Sequence, residues 1–376
     1  MMDRRWRQIV LVVTVVLFVF WGMMGCSKKE ETIKLGVAGA HSGDLASYGI
    51  PTVHAAELVV KAINEKGGIN GRKVELLVED DACKPELATN AATKLVSEGV
   101  NVVLGHICSG ATKAALKIYL DSKIIVMSPS ATNTDLTLSG EYPNFYRTIA
   151  YDDAQAQLQV KYATQTLGVK KAAVLHDKGD YGKGAAELAK KYFEQAGVNV
   201  ALFEGVTPGA VDYSAIVQKV ARAGVDLVIW GGYHPEASKI VTLMRKEGMA
   251  TLFMGADGIK DETFIQMAAE NSEGVYATGP KDTSTNPMYI EAKKAHQEAY
   301  GSDPGPFFFE GYSAAAALLN AIEKAGSTDY EALAKALHTE YVDTPVGKIS
   351  FDKNGDATGI GFSVYKVEGG KYIQLQ

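Results

Sequence analysis

Two loops rich in small polar residues carry the side chains best suited to hold a charged small molecule. The first, Gly105-His106-Ile107-Cys108-Ser109, follows an apolar strand pattern and precedes a helical pattern that begins at Ala111. A serine hydroxyl beside the free N–H groups of a helix N-terminus favours a carboxylate. The second, Ser128-Pro129-Ser130-Ala131-Thr132, also follows a strand pattern. The same residue types form helix caps and Ser/Thr turns, so a purely structural role stays open.

Sequence motifs of the common enzyme classes are absent. The chain contains no H-E-x-x-H metal motif and no G-x-S-x-G nucleophile elbow. Gly105–Gly110 has the glycine spacing of a phosphate-binding loop, but in Ala111-Thr112 an alanine stands where the motif requires its phosphate-binding lysine. The paired carboxylates Asp80-Asp81 and Asp152-Asp153 are typical of solvated loop ends. We therefore expect no enzyme, no cofactor and no metal site, with an amidohydrolase as the remaining catalytic alternative.

Composition limits the class of protein further. The 376 residues are 47% hydrophobic and 22% charged, which is typical of a globular chain with about two domains. Acidic residues outnumber basic ones, 44 against 38, and no basic cluster follows the first seven residues. Because nucleic-acid binding requires a concentrated positive surface, we expect no nucleic-acid partner.

The N-terminus has the pattern of an export signal. Three arginines among the first seven residues precede an apolar run over residues 9–21, which is shorter than the roughly 20 residues that span a membrane. The next Gly25-Cys26 pair resembles the lipobox of bacterial lipoproteins, whose cysteine is lipid-modified. We predict a signal peptide over 1–25, a lipidated Cys26 and tether over 26–31, and membrane attachment outside the cytoplasm. An uncleaved anchor is the alternative.

The two other cysteines, Cys83 and Cys108, form an even pair, which favours a disulfide in an oxidising compartment. This bridge would close a loop of about 25 residues, which the chain-entropy model values at roughly 3.5 kcal/mol. Two buried free thiols are the alternative. Three cysteines in total are too few for a disulfide scaffold or a structural zinc site.

Strand and helix patterns alternate from residue 33 onward in two series. The predicted strands of the first series are Ile33–Ala38, Lys73–Val78, Val100–Leu104 and Lys123–Met127. Those of the second are Ala172–His176, Val198–Glu204, Val225–Trp230, Thr251–Met254 and Gly274–Ala277. The polar stretch Tyr146–Asp153 between them lacks helical periodicity and is a candidate hinge. The pattern predicts an α/β protein with two doubly wound parallel-sheet lobes, whose ligand binds at the carboxyl ends of the strands.

Short motifs along the chain have a recognisable order and spacing. They are Gly36-Val37-Ala38-Gly39-Ala40-His41-Ser42-Gly43, Ile63-Asn64 with Lys66-Gly67-Gly68-Ile69, Asp80-Asp81-Ala82-Cys83, the two loops above, His176-Asp177-Lys178 and Gly231-Gly232-Tyr233-His234-Pro235-Glu236. Together they resemble the periplasmic leucine/isoleucine/valine-binding proteins, the substrate-binding components of branched-chain amino acid ABC transporters. The resemblance covers about residues 32–376. It implies the periplasmic binding protein type I fold, with lobe one over 32–150 plus 281–361 and lobe two over 151–280 plus 362–376.

The resemblance also implies which residues hold a zwitterionic ligand. In the family, residues that match Ser109 and Thr132 bind the α-carboxylate, and the Ser130 carbonyl and the Thr132 hydroxyl accept from the α-ammonium. Asp257 stands where the leucine-binding relatives carry a glutamate and would be the anion for the ammonium. Because aspartate is one methylene shorter, the identity of the substrate stays open. The other matching pocket positions are Tyr48, Ile107, Cys108, Ala131, Tyr181, Tyr233 and Phe307.

The sequence thus predicts a monomeric extracytoplasmic solute-binding protein. It would capture an aliphatic, branched-chain L-amino acid in the cleft between the lobes and deliver it to an ABC permease. Alternatives are a binding protein for an amide, urea, an aromatic acid or a short peptide, and a ligand sensor without transport.

Overall fold

The computed structural model divides the chain into Met1–Thr32 and Ile33–Gln376, and it describes residues 32–375. The predicted signal peptide, the lipidated Cys26 and the tether lie outside the described residues. Among residues 32–375, no helix is both long enough and apolar enough to cross a membrane.

Strands and helices alternate through most of the described chain. The strands are β1 Ile33–Gly39, β2 Val74–Asp80, β3 Val102–Leu104, β4 Ile125–Ser128, β5 Phe145–Arg147, β6 Lys171–His176, β7 Asn199–Gly205, β8 Leu227–Gly231, β9 Leu252–Gly255, β10 Tyr276–Pro280, β11 Val342–Thr344, β12 Gly347–Ile349, β13 Phe362–Glu368 and β14 Lys371–Gln374. The helices are α1 Ala46–Glu65, α2 Pro85–Ser97, α3 Ser109–Asp121, α4 Asp135–Leu138, α5 Asp152–Gln165, α6 Asp180–Gln195, α7 Ser214–Ala223, α8 His234–Lys246, α9 Glu262–Ala268, α10 Pro287–Tyr300, α11 Phe308–Ala325 and α12 Tyr330–Thr339. Short 3-10 turns lie at Asp257–Ile259 and Ala269–Ser272.

The first sheet is entirely parallel and has the strand order β2-β1-β3-β4-β5. Its central strands are apolar on both faces: every residue of β3 and β4 is buried. Helices α1, α11 and α12 pack on one face and helices α2 and α3 on the other. Such two-sided burial is what a parallel sheet with crossover helices requires.

The second sheet has the order β14-β13-β10-β9-β8-β6-β7. Strands β6 to β10 are parallel, whereas β13 and β14 add to the β10 edge in antiparallel orientation. Helices α7, α8 and α9 cover one face, and helices α5 and α6 cover the other. The described chain therefore has the predicted α/β class, with two doubly wound sheets and an antiparallel edge that the sequence patterns do not specify.

The chain passes between the two sheets three times. It leaves the first sheet after β5, returns after β10 to form α10 to α12 and the β11–β12 hairpin, and enters the second sheet again at β13. The helices of the returning segment pack on the first sheet, since Leu318, Ile322 and Leu337 share one buried cluster with β1 and β3. The exact limits of the two lobes remain a prediction.

Helix α5 and strand β5 differ from the sequence expectation of an irregular hinge over Tyr146–Asp153. Strand β5 includes Tyr146, and α5 begins at Asp152. The helical pattern of α5 is hidden in the sequence because two polar residues, Gln155 and Gln159, lie on its buried face.

The structure contains the predicted disulfide. Cys83 and Cys108 are bonded, with their Cα atoms 5.5 Å apart. The bond ties the loop after β2 to the first turn of α3, which places it directly beside the loop that carries Ile107 and Ser109.

Candidate ligand-binding site

Seven of the predicted ligand residues line one pocket between the two sheets. They are Tyr48, Ile107, Ser130, Tyr181, Tyr233, Asp257 and Phe307, and Gly258 completes the lining. The side chains leave only a small free cavity between them, of about 10 Å³. The residues come from loops at the carboxyl ends of strands, from helix α1 and from the turn before α11, as expected for parallel sheets. Both sheets therefore contribute to a single pocket.

Asp257 is held in place by a network of hydrogen bonds. Its Oδ1 accepts from Tyr181 Oη at 2.8 Å and from Gln155 Nε2 at 2.8 Å. Its backbone N–H donates to Gln155 Oε1 at 2.9 Å, and Gly258 N–H donates to Tyr181 Oη at 2.9 Å. Burial raises the pKa of Asp257. The aspartate is thus fixed and buried in the 3-10 turn after β9.

Asp152 corrects one interpretation of the sequence. We expected the Asp152-Asp153 pair to be a solvated loop end, but Asp152 is only 1% exposed at the start of α5. Neither of its carboxylate oxygens makes a hydrogen bond of standard geometry within the described residues, and nor does the hydroxyl of Thr132. The Thr132 hydroxyl and the Gln155 side chain nevertheless lie close enough to lower the pKa of Asp152 against the effect of burial. The Asp152 N–H donates to the Thr132 carbonyl at 2.9 Å, which keeps the two residues adjacent. Burial, with a smaller contribution from the charge of Asp257, raises the pKa of Asp152 to about 7.

Asp152 and Asp257 are two buried carboxylates whose charges repel each other, and the positive charge of Arg147 only partly offsets the rise in the pKa of Asp152. Such a pair is costly unless a positive group joins it. Arg147, the cation nearest to Asp152 in sequence, is engaged by Asp356, whose Oδ1 lies 2.5 Å from its Nε. The unpartnered Asp152 oxygens and Thr132 hydroxyl therefore form an acceptor set that suits an ammonium group.

The N-terminus of α3 provides a site for a negatively charged group. The Ser109 hydroxyl is buried and accepts from Asn133 N–H at 3.2 Å, which leaves its own proton available to a ligand. The first N–H groups of a helix have no intrahelical partners and attract an anion. Ser109, Cys108, Ala131 and Thr132 do not line the pocket itself but lie buried beside Ile107 and Ser130. The Ser130 hydroxyl donates to the Ile107 carbonyl at 2.8 Å, which joins the two loops.

Aromatic rings form the apolar wall of the pocket. The ring centroid of Tyr48 lies 5.6 Å from that of Phe307 and 6.1 Å from that of Tyr233, and Tyr181 lies 5.0 Å from Tyr233. Burial raises the pKa of all three tyrosines well above 10, so their hydroxyls stay protonated. Phe307 has a left-handed backbone with φ of 60°, a conformation that costs energy for any residue but glycine.

Contacts across the cleft join the two sheets directly. Tyr48 Oη on α1 donates to the Gly258 carbonyl at 2.8 Å and lies 2.7 Å from His234 Nδ1. Ser47 Oγ donates to Asp261 Oδ2 at 2.6 Å. Gly258 is required here, because a Cβ would lie 2.6 Å from the Gly232 carbonyl and 2.9 Å from Tyr181 Oη.

A family model described as "Periplasmic binding protein" matches residues 32–371. This chain belongs to that family. The match confirms the resemblance, the fold and the predicted location outside the cytoplasm, in the periplasm.

Individual relatives agree with this assignment. The chain is 38% identical to the leucine-, isoleucine-, valine-, threonine-, and alanine-binding protein of Pseudomonas aeruginosa, over 92% of each chain. It is 36% identical to the Leu/Ile/Val-binding protein of Escherichia coli K12, over 89% of this chain and 90% of the relative. Its structure is similar to that of a branched-chain amino acid transporter substrate binding protein from Streptococcus pneumoniae in complex with isoleucine, with a TM-score of 0.81, 27% identity, and coverage of 92% and 100% of the two chains. All three relatives are named as binding proteins. This agrees with the prediction that the chain is a binding protein and not an enzyme.

Sequence reasoning missed three parts of the site in this family member. Asp152 and Gln155 lie on the helix that the patterns do not predict, and no sequence pattern distinguishes Gly258 from other loop glycines. One sequence signal points to Asp152: acidic side chains favour the first turn of a helix, and Asp152 is the first residue of α5. Among residues 32–375, no group of three or more metal-binding side chains is placed to hold a metal ion.

Proposed function

We propose that this chain captures a branched-chain L-amino acid between its two sheets. Its relatives named above, which bind leucine, isoleucine and valine by their names, support this proposal. The observation that carries it is the buried Asp152 carboxylate, whose oxygens make no hydrogen bond of standard geometry among the described residues and whose pKa is raised by burial and by the charge of Asp257. An α-ammonium is the group that would satisfy these acceptors.

The zwitterion would lie with its two charges in different loops. The ammonium binds Asp152, Asp257, the Thr132 hydroxyl and the Ser130 carbonyl. The carboxylate binds the Ser109 hydroxyl and the N–H groups that begin α3. An aliphatic side chain then lies against Ile107, Phe307 and the tyrosine rings, where a polar side chain would lose hydrogen bonds to water.

Binding is coupled to closure in this proposal. Lobe one comprises residues 32–150 and 281–361, and lobe two comprises 151–280 and 362–376. The three passages of the chain between the sheets act as the hinge. Because ligand groups contact both lobes, an occupied cleft favours the closed arrangement, and the closed protein presents the amino acid to an ABC permease.

Attachment to the membrane is a separate part of the proposal. Cleavage before Cys26 and lipid modification of that cysteine would hold the protein at the membrane as a monomer. Growth of expressing cells with radiolabelled palmitate should label the chain, and Cys26→Ala should abolish the label. A labelled Cys26→Ala variant would contradict the anchor without touching the ligand proposal.

Isothermal titration of the purified protein, stripped of bound ligand by unfolding and refolding, tests the ligand. Leucine, isoleucine or valine should bind at one site per chain, and D-leucine and α-ketoisocaproate, which lacks the ammonium, should not. Asp257→Asn should weaken leucine binding, whereas Asp153→Asn, which changes the neighbour of Asp152 on the exposed side of α5, should not. Equal binding of leucine and its keto acid would overturn the ammonium site.

A further inference from the structure

A second cavity adjoins the amino acid pocket. It has a volume of about 780 Å³ and shares Asp257 and Phe307 with the pocket. The first turns of α1, the start of α11, the 3-10 turn after β9 and the segment after β10 contribute to its walls. Cavities of several hundred Å³ are the size that holds small ligands. We refer to it as the rear chamber.

Two residues of opposite charge face the rear chamber without a charged partner. Glu310 is 7% exposed, and its carboxylate makes no hydrogen bond or ion pair with any other residue among 32–375. The Lys260 side chain makes neither interaction within the same part of the chain, and its Nζ lies 4.4 Å from the centroid of the Tyr365 ring. Each residue follows a shared wall residue by three positions, Glu310 after Phe307 and Lys260 after Asp257.

Burial disfavours the charged form of both groups. Burial raises the pKa of Glu310 to about 7, although the positive charge of Lys260 opposes this rise. Burial also lowers the pKa of Lys260, against the charges of Glu310, Asp282 and Asp261. The two groups influence each other's pKa, yet their charged atoms are not within ion-pair distance. The rear chamber thus has one acceptor, Glu310, and one donor, Lys260, which do not form an ion pair with each other.

A ligand group that both donates and accepts fits this pair. An ammonium would bind Glu310 but be repelled by Lys260, and a carboxylate would bind Lys260 but be repelled by Glu310 and the nearby aspartates. A neutral carboxamide or ureido group satisfies both, because its N–H groups donate to Glu310 and its carbonyl accepts from Lys260.

We propose that the rear chamber is a second subsite of the cleft, which receives the end of a long ligand side chain that carries a carboxamide or ureido group. The inference rests on the proposed function, because it requires the α-carbon groups to occupy the pocket and the side chain to pass Phe307. Its consequence is a wider specificity: the chain would bind extended neutral polar L-amino acids in addition to branched-chain ones.

Titration with L-citrulline and L-norleucine tests the subsite, since these ligands share the α-carbon groups and differ in the ureido end. We expect wild-type protein to bind citrulline at least tenfold more tightly than norleucine. Glu310→Met and Lys260→Met should each bring the two affinities to within about twofold. Asp303→Asn is the matched control: Asp303 also lines the chamber, but its Oδ2 already lies 2.9 Å from Lys293 Nζ and its Oδ1 accepts from Gln297, so this variant should keep the wild-type preference.

Leucine, titrated into the same samples, separates this inference from the proposed function. Leucine affinity should stay within about twofold in all three variants, because its side chain does not reach the chamber. Failure of citrulline to bind, a preference for norleucine, or a citrulline preference that survives both methionine variants would overturn the subsite. Tighter binding of L-lysine or L-glutamate than of citrulline would also overturn it, because only one of the two charges would then be used. Absence of leucine binding in the wild type would instead contradict the proposed function.

Discussion

The buried carboxylate of Asp152 links ligand binding to pH in this protein. Asp152 has a pKa of about 7 in the described structure, where burial and the charge of Asp257 disfavour its ionised form. The ionised form is the one that attracts an ammonium, so binding below pH 7 requires that Asp152 release a proton. Leucine affinity should therefore increase as the pH rises from 5 to 7 and level off from 7 to 8.

The Asp152→Asn variant tests the contribution of this residue to leucine binding. It keeps the shape of the side chain but has no titratable group, and the loss of a buried charge partner costs about 2–5 kcal/mol in comparable cases. We expect leucine binding to weaken on the order of 100-fold at pH 7.5 and the rise between pH 5 and 7 to flatten, as measured by titration calorimetry. A variant with wild-type affinity and an unchanged pH profile would show that Asp152 does not contact the ligand.

At the scale of elements, helix α5 supports the site through one polar face. Gln155 is 1% exposed, donates to Asp257 Oδ1 and accepts from the Asp257 N–H and, at 2.7 Å, from Thr278 Oγ1. Gln155→Ala would leave the Asp257 N–H and the Thr278 hydroxyl proton without their acceptor, while Asp257 Oδ1 keeps its bond from Tyr181. Each buried donor left unpaired costs about 1–3 kcal/mol, or less if water enters. We expect the free energy of unfolding to fall by about 2–3 kcal/mol in urea denaturation.

Gln157 provides the matched control on the same helix. It is exposed, and its amide contacts only Asp153 Oδ2 and Tyr192 Oη. Because surface substitutions usually change stability by less than about 0.5 kcal/mol, Gln157→Ala should unfold like the wild type. Similar losses in both variants would mean that the loss does not come from the buried hydrogen bonds of Gln155, since alanine itself favours a helix.

The disulfide holds the loop that carries Ile107 next to the loop after β2. In the Cys83→Ser, Cys108→Ser double variant, the free energy of unfolding should fall by roughly 3.5 kcal/mol, since the bond closes a loop of about 25 residues. Urea denaturation with and without reductant measures this: reductant should destabilise the wild type and leave the double variant unchanged. A wild type that is insensitive to reductant after full unfolding and refolding would contradict the entropic role of the bond.

The elements that the sequence predicts well are those with a local signal. Strand β1 occupies Ile33–Gly39, one residue longer than the predicted Ile33–Ala38. Its position is predicted well because all its residues except Lys34 are small or apolar and buried. Helix α5 has no such signal, since its buried face includes Gln155 and Gln159. Asp152 looks like half of a solvated acidic pair and is buried only because α5 packs on the second sheet. Long-range packing of this kind cannot be inferred from the neighbours of a residue in sequence.

At the scale of the whole molecule, closure depends on groups that meet only across the cleft. Tyr48 Oη, on the side of the first sheet, donates to the Gly258 carbonyl, and His234 Nδ1 on the side of the second sheet lies 2.7 Å from it. In the closed arrangement Tyr48→Phe leaves both groups buried without this partner, whereas in an open cleft water would satisfy them. The variant should therefore shift the equilibrium toward the open form by about 1–2 kcal/mol.

Ligand dissociation measures this shift, because the amino acid leaves from the open form. We expect Tyr48→Phe to bind leucine roughly tenfold more weakly, with most of the change in a faster dissociation rate in stopped-flow fluorescence. Tyr312→Phe is the matched control, since the Tyr312 hydroxyl on α11 makes no hydrogen bond to any residue in the described range. A slower association rate with unchanged dissociation would show that the Tyr48 hydroxyl guides ligand entry, and that closure is held by the other cross-cleft contacts, among them Ser47 to Asp261.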